Sequence, residues 1–121
     1  MMNHFYNTIE GTFNYERIYT DIVKIFGNGA HFVEVGSWMG KSSSFLAVEI
    51  INSKKSIKLD CIDIFKFIPN GSSDDKNFPK NLYGTFRKNI RPVKLLVDIN
   101  PIKSISWDAA NLYDDGSLEF A

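Results

Sequence analysis

Residues 31–42 read His31-Phe32-Val33-Glu34-Val35-Gly36-Ser37-Trp38-Met39-Gly40-Lys41-Ser42, and their reading decides the fold. Residues 31–36 are a short apolar run closed by glycine, the pattern of a buried strand. Ser37 to Lys41 form a tight loop, and Ser42, Ser43 or Ser44 is placed to cap a helix carrying Phe45, Leu46, Val48, Ile50 and Ile51. Asn52-Ser53-Lys54-Lys55 ends that helix with polar and basic residues. Ile57 to Ile64 is again apolar except for Asp60 and Asp63, a second buried strand. Strand, helix and strand in so short a span make a βαβ unit, with parallel strands and a right-handed crossover.

Outward from this unit, residues 14–26 suit a helix. Tyr15, Ile18, Tyr19, Ile22, Val23 and Phe26 share one face, and Gly27-Asn28-Gly29 supplies its end. The aromatics near the start (Phe5, Tyr6, Phe13, Tyr15, Tyr19) read as core or interface filler. On the other side, Ile68 to Pro79 reads as a polar loop, and Leu82 to Asn89 as a helix with Phe86 inward and Arg87 and Lys88 outward. Pro92 opens a further helical segment, Val93 to Ile99, and Pro101 stops it. Ile102 to Ser106 is expected as a short strand, Asp108 to Tyr113 as a short helix, and Leu118 to Ala121 as the beginning of a fourth strand. Such alternation specifies an α/β fold with a mostly parallel sheet.

Composition narrows the function. The 121 residues hold 14 Lys+Arg against 14 Asp+Glu, so no net charge argues for a nucleic-acid or anionic-membrane partner. Cys61 is the only cysteine and cannot form an internal disulfide, and with two histidines it is too little for a structural zinc site. No apolar run approaches the ~18 residues of a membrane span, and the start lacks the layout of a signal peptide. The expectation is a cytoplasmic protein acting on a small-molecule substrate, with no metal, no nucleic acid and no membrane.

In open parallel sheets ligands sit beyond the C-terminal strand ends, where Gly36–Gly40, Asp63–Phe67 and Ser106–Asp108 fall. A triphosphate-cradling loop needs G-x-x-x-x-G-K-[ST], but Val35 stands where its first glycine belongs. A dinucleotide fingerprint fails because Trp38 occupies its second glycine. What remains is an acid, two glycines four apart, and a second strand ending in Asp63. This suits a ligand with an amino-acid end and a ribose. Glu34 would receive an ammonium unless a protein donor satisfies it, the helix N-terminus a carboxylate, and Asp63 two ribose hydroxyls. Lys41, disfavoured by the dipole in a first helical turn, calls for a carboxylate neighbour, and Trp38 is placed as pocket wall or lid. His4, His31 and Cys61 read as structural, and Asp60 as pointing to the other face from its neighbours.

Glu34 to Ser43 resembles the first motif of the class I S-adenosylmethionine-dependent methyltransferases, in the small-molecule type whose loop reads E-x-G-x-x-x-G-K-S. Leu59 to Asp63 is similar to their second motif, and Ser106 to Ala110, followed by Asp115 to Phe120, to the run from the adenine loop into the fourth strand. The resemblance implies a Rossmann-like three-layer αβα sandwich, ending here just after the fourth strand starts. It implies S-adenosylmethionine as cofactor, held by Glu34, Gly36, Ser37, Trp38, Gly40, Lys41, Ser42, Asp63, Ile64, Ser106 and Trp107. In the family the fourth strand continues to an aspartate beside the substrate; this sequence stops at Ala121 before it, so no catalytic residue is named. Two other readings stand beside this one: a nucleoside-triphosphate module using Gly40-Lys41-Ser42, and a non-catalytic remnant that self-associates, as a homodimer, through the fourth-strand edge or the N-terminal aromatics.

Overall fold

The computed structural model describes residues 1–66 and 81–121. After a single 3-10 turn at Tyr6–Thr8 come α1 (Glu16–Ile25), β1 (His31–Val35), α2 (Lys41–Ser53) and β2 (Lys58–Asp63). Then follow α3 (Leu82–Asn89), α4 (Arg91–Lys94), β3 (Asp98–Lys103), α5 (Ser106–Ala109) and a 3-10 turn at Ala110–Leu112. The protein is α/β, with three parallel strands in the order β1-β2-β3. The polar loop expected over Ile68 to Pro79 lies outside the described residues.

Alternation along the strands sorts the core into two faces. Phe32, Leu59, Cys61 and Ile99 look toward α1, α2, α3 and α4, where Tyr19, Val23, Leu46, Phe86 and Val93 pack on them. Val33 and Ile62 look the other way, onto Ala109, Tyr113 and Leu118. Helix α2 is buried nearly all round, from Ser42 to Val48 and at Ile50, because α1, α4 and the N-terminal turn all pack against it. Each fully buried aliphatic or aromatic side chain there contributes about 1.5–3 kcal/mol. In α1 the buried stripe is narrower than the heptad-like spacing predicts. Tyr19, Ile22 and Val23 are buried, whereas Ile18 and Tyr15 are exposed. The last carbonyls of α1 are capped from a distance: the Lys55 ammonium donates to Val23 O (2.5 Å), Phe26 O (2.8 Å) and Lys24 O (3.2 Å).

Expectations on the β3 side are corrected: the strand expected over Ile102 to Ser106 runs over Asp98–Lys103. Val93 to Ile99 is not one helix: α4 is a single turn with Pro92 in its first positions, and Asp98 already belongs to β3. Pro101 does not stop a helix but lies inside β3, opposite Cys61. Among the described residues β3 pairs with β2 alone, and edge strands are where a residue without an N–H is tolerated. The helix expected from Asp108 starts earlier, at Ser106, and passes into a 3-10 turn. The beginning of the fourth strand is a single parallel bridge, Phe32 to Phe120. Val33 N donates to Phe120 O (2.8 Å) and Glu119 N to His31 O (3.1 Å), on the edge of β1 that faces away from β2.

The N-terminal segment is fastened over this frame. Met2 N donates to Asn52 Oδ1 (2.8 Å) while Asn52 Nδ2 donates to Met2 O (3.0 Å). His4 stacks on Phe45 with ring centroids 4.3 Å apart, and Ile9 is buried with Met39 and Leu82. Of the early aromatics Phe13 and Tyr19 are core, Phe5 and Tyr6 pack partly buried against it, and Tyr15 is exposed at its edge; Phe13 meets Tyr6, Tyr15, Tyr19 and Phe45 at ring-contact distances.

Candidate functional site

β1 and β2 are parallel and deliver two loops to the same end of the sheet. The first loop turns three times through the left-handed region, at Gly36 (φ 84°), Trp38 (φ 50°) and Gly40 (φ 92°). Glycine is required at Gly40 on two grounds. Besides its φ, a Cβ there would stand 3.1 Å from Phe86 Cδ2 and 3.3 Å from Ile90 Cγ2. At Gly36 only the φ matters, since a Cβ would meet nothing within 4 Å. The loop is anchored from α3 by Asn89 Nδ2, which donates to Met39 O (2.9 Å).

Asp63 ends β2 and ties the two loops together. Its Oδ2 accepts from Trp38 N (2.9 Å) and its Oδ1 from Phe65 N (2.8 Å). Phe65, like Trp38, is a non-glycine residue at positive φ (51°). One carboxylate thus holds the amides of two of the three described non-glycine residues at positive φ, the third being Lys54, and such strain persists only where surrounding bonds over-determine it. Each oxygen keeps a second lone pair for a ligand hydroxyl. A third loop joins here, for Ser104 N donates to Asp63 O (3.0 Å).

Beside the first loop lies a cleft of about 340 Å³. Gly36, Ser37, Trp38, Met39, Lys41 and Ser42 form one wall, and the N-terminal residues Glu10, Gly11, Thr12 and Tyr15 the other. The second wall was not legible in the sequence, where Asn7 to Thr12 is a polar stretch without periodicity. Its one signal is Ile9, the apolar residue that seats the segment on Met39 and Leu82. The Lys41 stem runs along Gly11, 3.8 Å from where a Cβ of that glycine would stand, and Glu10 lines the same cleft as the carboxylate Lys41 was expected to need. The two form no ion pair; among the described residues Lys41 has none.

The other expected site residues fall around the cleft rather than in it. Glu34 is buried, and of its two anticipated partners it has the protein donors: Tyr19 Oη donates to Oε2 (2.6 Å) and Ser43 Oγ to Oε1. Burial, with the Glu34 charge beside it, pushes the Tyr19 phenol far above its ordinary range, so the phenol stays a donor. Gly40 sits behind the loop against α3. Ile64 follows Asp63 and is half-buried; Ser106 and Trp107 open α5, with Trp107 exposed. Neither these three nor Asp63, Glu34 and Gly40 are among the described residues that line the cleft.

On the other face, Asp60 is buried and accepts from Tyr113 Oη (2.8 Å) and Asn100 Nδ2 (3.3 Å), with His31 Nε2 at 2.7 Å. It fastens the C-terminal turn to the sheet. Burial pushes the Cys61 thiol well up, and Glu34 adds to this, so Cys61 is a packing residue and not a nucleophile. Among the described residues no group of His, Cys, Asp and Glu is arranged to hold a metal, and no helix is long and apolar enough to cross a membrane.

No protein-family model matches the sequence, and no curated protein matches it.

Proposed function

We propose that this chain is an S-adenosylmethionine-binding domain of the class I methyltransferase type, with a Rossmann-like sheet whose fourth strand begins at residues 119–120. What supports the fold reading is the position of Phe120, which extends the strand order to fourth-β1-β2-β3, the order of a doubly wound sheet about a switch point beside β1. What carries the cofactor reading is one juxtaposition: the glycine loop bearing the acid-x-G-x-x-x-G pattern is fastened to the acid ending the next parallel strand.

The residues fit such a ligand, with one change of role. Asp63 retains acceptor capacity for ribose hydroxyls. The α2 start, whose cap position Gly40 carries no side-chain cap and whose Lys41 and Ser42 line the cleft, offers N–H donors to a carboxylate. Glu34 supports the loop from behind by holding Ser43 in the first turn of α2, and Glu10 in the opposite wall is the carboxylate available to an ammonium. Bound S-adenosylmethionine supplies an electrophilic methyl group for an oxygen or nitrogen of a small acceptor. This chain's residues position the cofactor, which is the main protein contribution to an in-line transfer.

Calorimetric titration with S-adenosylhomocysteine tests the reading. Saturable heat and a thermal upshift are expected; neither at millimolar ligand overturns it. Magnesium-ATP is the control, and its binding, lost in Lys41→Ala, in place of S-adenosylhomocysteine would favour the triphosphate reading.

A further inference from the structure

We propose that a second cleft, between α3, α4 and β3, binds a small phosphate-class polyanion through Arg87, Arg91 and Lys94. From Asn81 to Val97 the chain carries Arg87, Lys88, Arg91 and Lys94 and no acid, although it is neutral overall. The excess is local. Positions 87, 91 and 94 share one side of a nearly continuous helical path, since Ile90, which joins α3 to α4, itself has helical-region dihedrals (φ −90°, ψ 0°). That side lines a cleft of about 560 Å³ with Tyr83 and Asn100.

Arg87 and Lys94 are held in place, and none of the three cations is neutralised among the described residues. The Arg87 guanidinium carbon stands 5.7 Å from the Tyr83 ring centroid, and the Lys103 ammonium 5.8 Å from it. Lys94 Nζ donates to Ile99 O (2.6 Å), which fixes the ammonium and leaves two N–H donors. Among the described residues none of Arg87, Lys88, Arg91 and Lys94 pairs with a carboxylate. Asp60 and Asp98, on the neighbouring strands, both accept from the Asn100 amide. Like charges kept together without a counter-charge repel, and an anion in the cleft relieves that repulsion. Two guanidinium forks favour phosphate oxygens, which they grip in pairs. A concave site on a chain of zero net charge favours a small ligand over a nucleic-acid strand, whose binding rests on an extended positive field.

The probe is inorganic pyrophosphate, titrated calorimetrically into the full chain at physiological ionic strength. Saturable binding is expected, weakened roughly ten-fold or more in the exposed Arg87→Gln/Arg91→Gln double variant and also in Lys94→Gln. S-adenosylhomocysteine binding is expected to be unchanged in both, since the two clefts share no described lining residue. Equal binding by wild type and variants, or none at this ionic strength, overturns the proposal. Sedimentation with phosphatidylserine vesicles, or binding of a uridine oligonucleotide, without pyrophosphate binding also overturns it. The vesicle result would assign the cations to a membrane surface beside exposed Leu95 and Leu96.

Discussion

The Asp63 carboxylate accepts the backbone N–H of Trp38 at 2.9 Å, across a sequence separation of 25 residues, and so fixes the glycine loop to the end of the neighbouring strand. Read from sequence alone, Asp63 faces a cleft at a strand end, and its replacement should leave folding almost untouched. The bond to Trp38, with its counterpart to Phe65, changes that expectation.

Asp63→Asn presents one amide oxygen and one NH₂ where two backbone donors converge. One donor then faces another donor. We expect a stability loss of about 1–2 kcal/mol, seen as a melting temperature lower by roughly 5 °C. S-adenosylhomocysteine affinity should fall roughly ten- to a hundred-fold as charge-assisted bonds become neutral ones. Asp60→Asn should also lower the melting temperature, because Asp60 is buried with three partners, but should leave affinity unchanged. Equal loss of affinity in both variants would remove Asp63 from the ribose role.

Gly40→Ala and Gly36→Ala separate backbone strain from crowding. Both place a side chain at positive φ, costing about 1–2 kcal/mol. Gly40→Ala adds contact with Phe86 and Ile90, for a total of roughly 2–4 kcal/mol. Urea denaturation should therefore rank Gly40→Ala as the less stable; the reverse order would mean that α3 yields freely.

Tyr19→Phe strips a buried carboxylate oxygen of its donor. The expected cost is about 1–3 kcal/mol at neutral pH, measured by urea denaturation against wild type. If stability is unchanged, Glu34 has found another donor and the pair is not a support of the loop.

Alkaline pH should unfold the protein. Burial raises the phenols of Tyr19 and Tyr113 and the thiol of Cys61 above their ordinary values, with Glu34 or Asp60 adding to each shift. Above the ordinary values (~8.5 for Cys, ~10 for Tyr) the unfolded chain binds fewer protons than the folded one, so stability falls as pH rises. Below them this contribution is fully present. Tyr19→Phe should flatten the alkaline limb above pH ~10 in urea melts taken from pH 7 to 11.

Self-association is an expectation that rests on the bridge of residues 119–120 to β1. They bond to β1, and Val35 on that strand is exposed, as are Trp107 and Leu112. Open strand edges pair with further strands. Light scattering should report twice the chain mass at high concentration; a single-chain mass throughout would end the idea.

The β1-α2-β2 unit was legible because its signals are local: apolar runs of strand length, a glycine loop and a serine-rich helix start. β3 was misread because Pro101 is a breaker in sequence, and only pairing shows that this strand has one neighbour among the described residues. Glu34 was legible as costly to bury, but whether a ligand or a protein would satisfy it depended on Tyr19, which a tertiary contact brings to it. Glu10 and Thr12 could not be found, since their place in the cleft comes from how Ile9 packs.

Lys55 spends its ammonium on three carbonyls at the end of α1. Its nitrogen is therefore shielded from an electrophile while those bonds stand. In a timed acetylation read by peptide mass, the exposed Lys24 and Lys54 should be labelled early and Lys55 late. Its labelling would then report release of α1 from the sheet, so that one lysine serves as an internal clock for local opening.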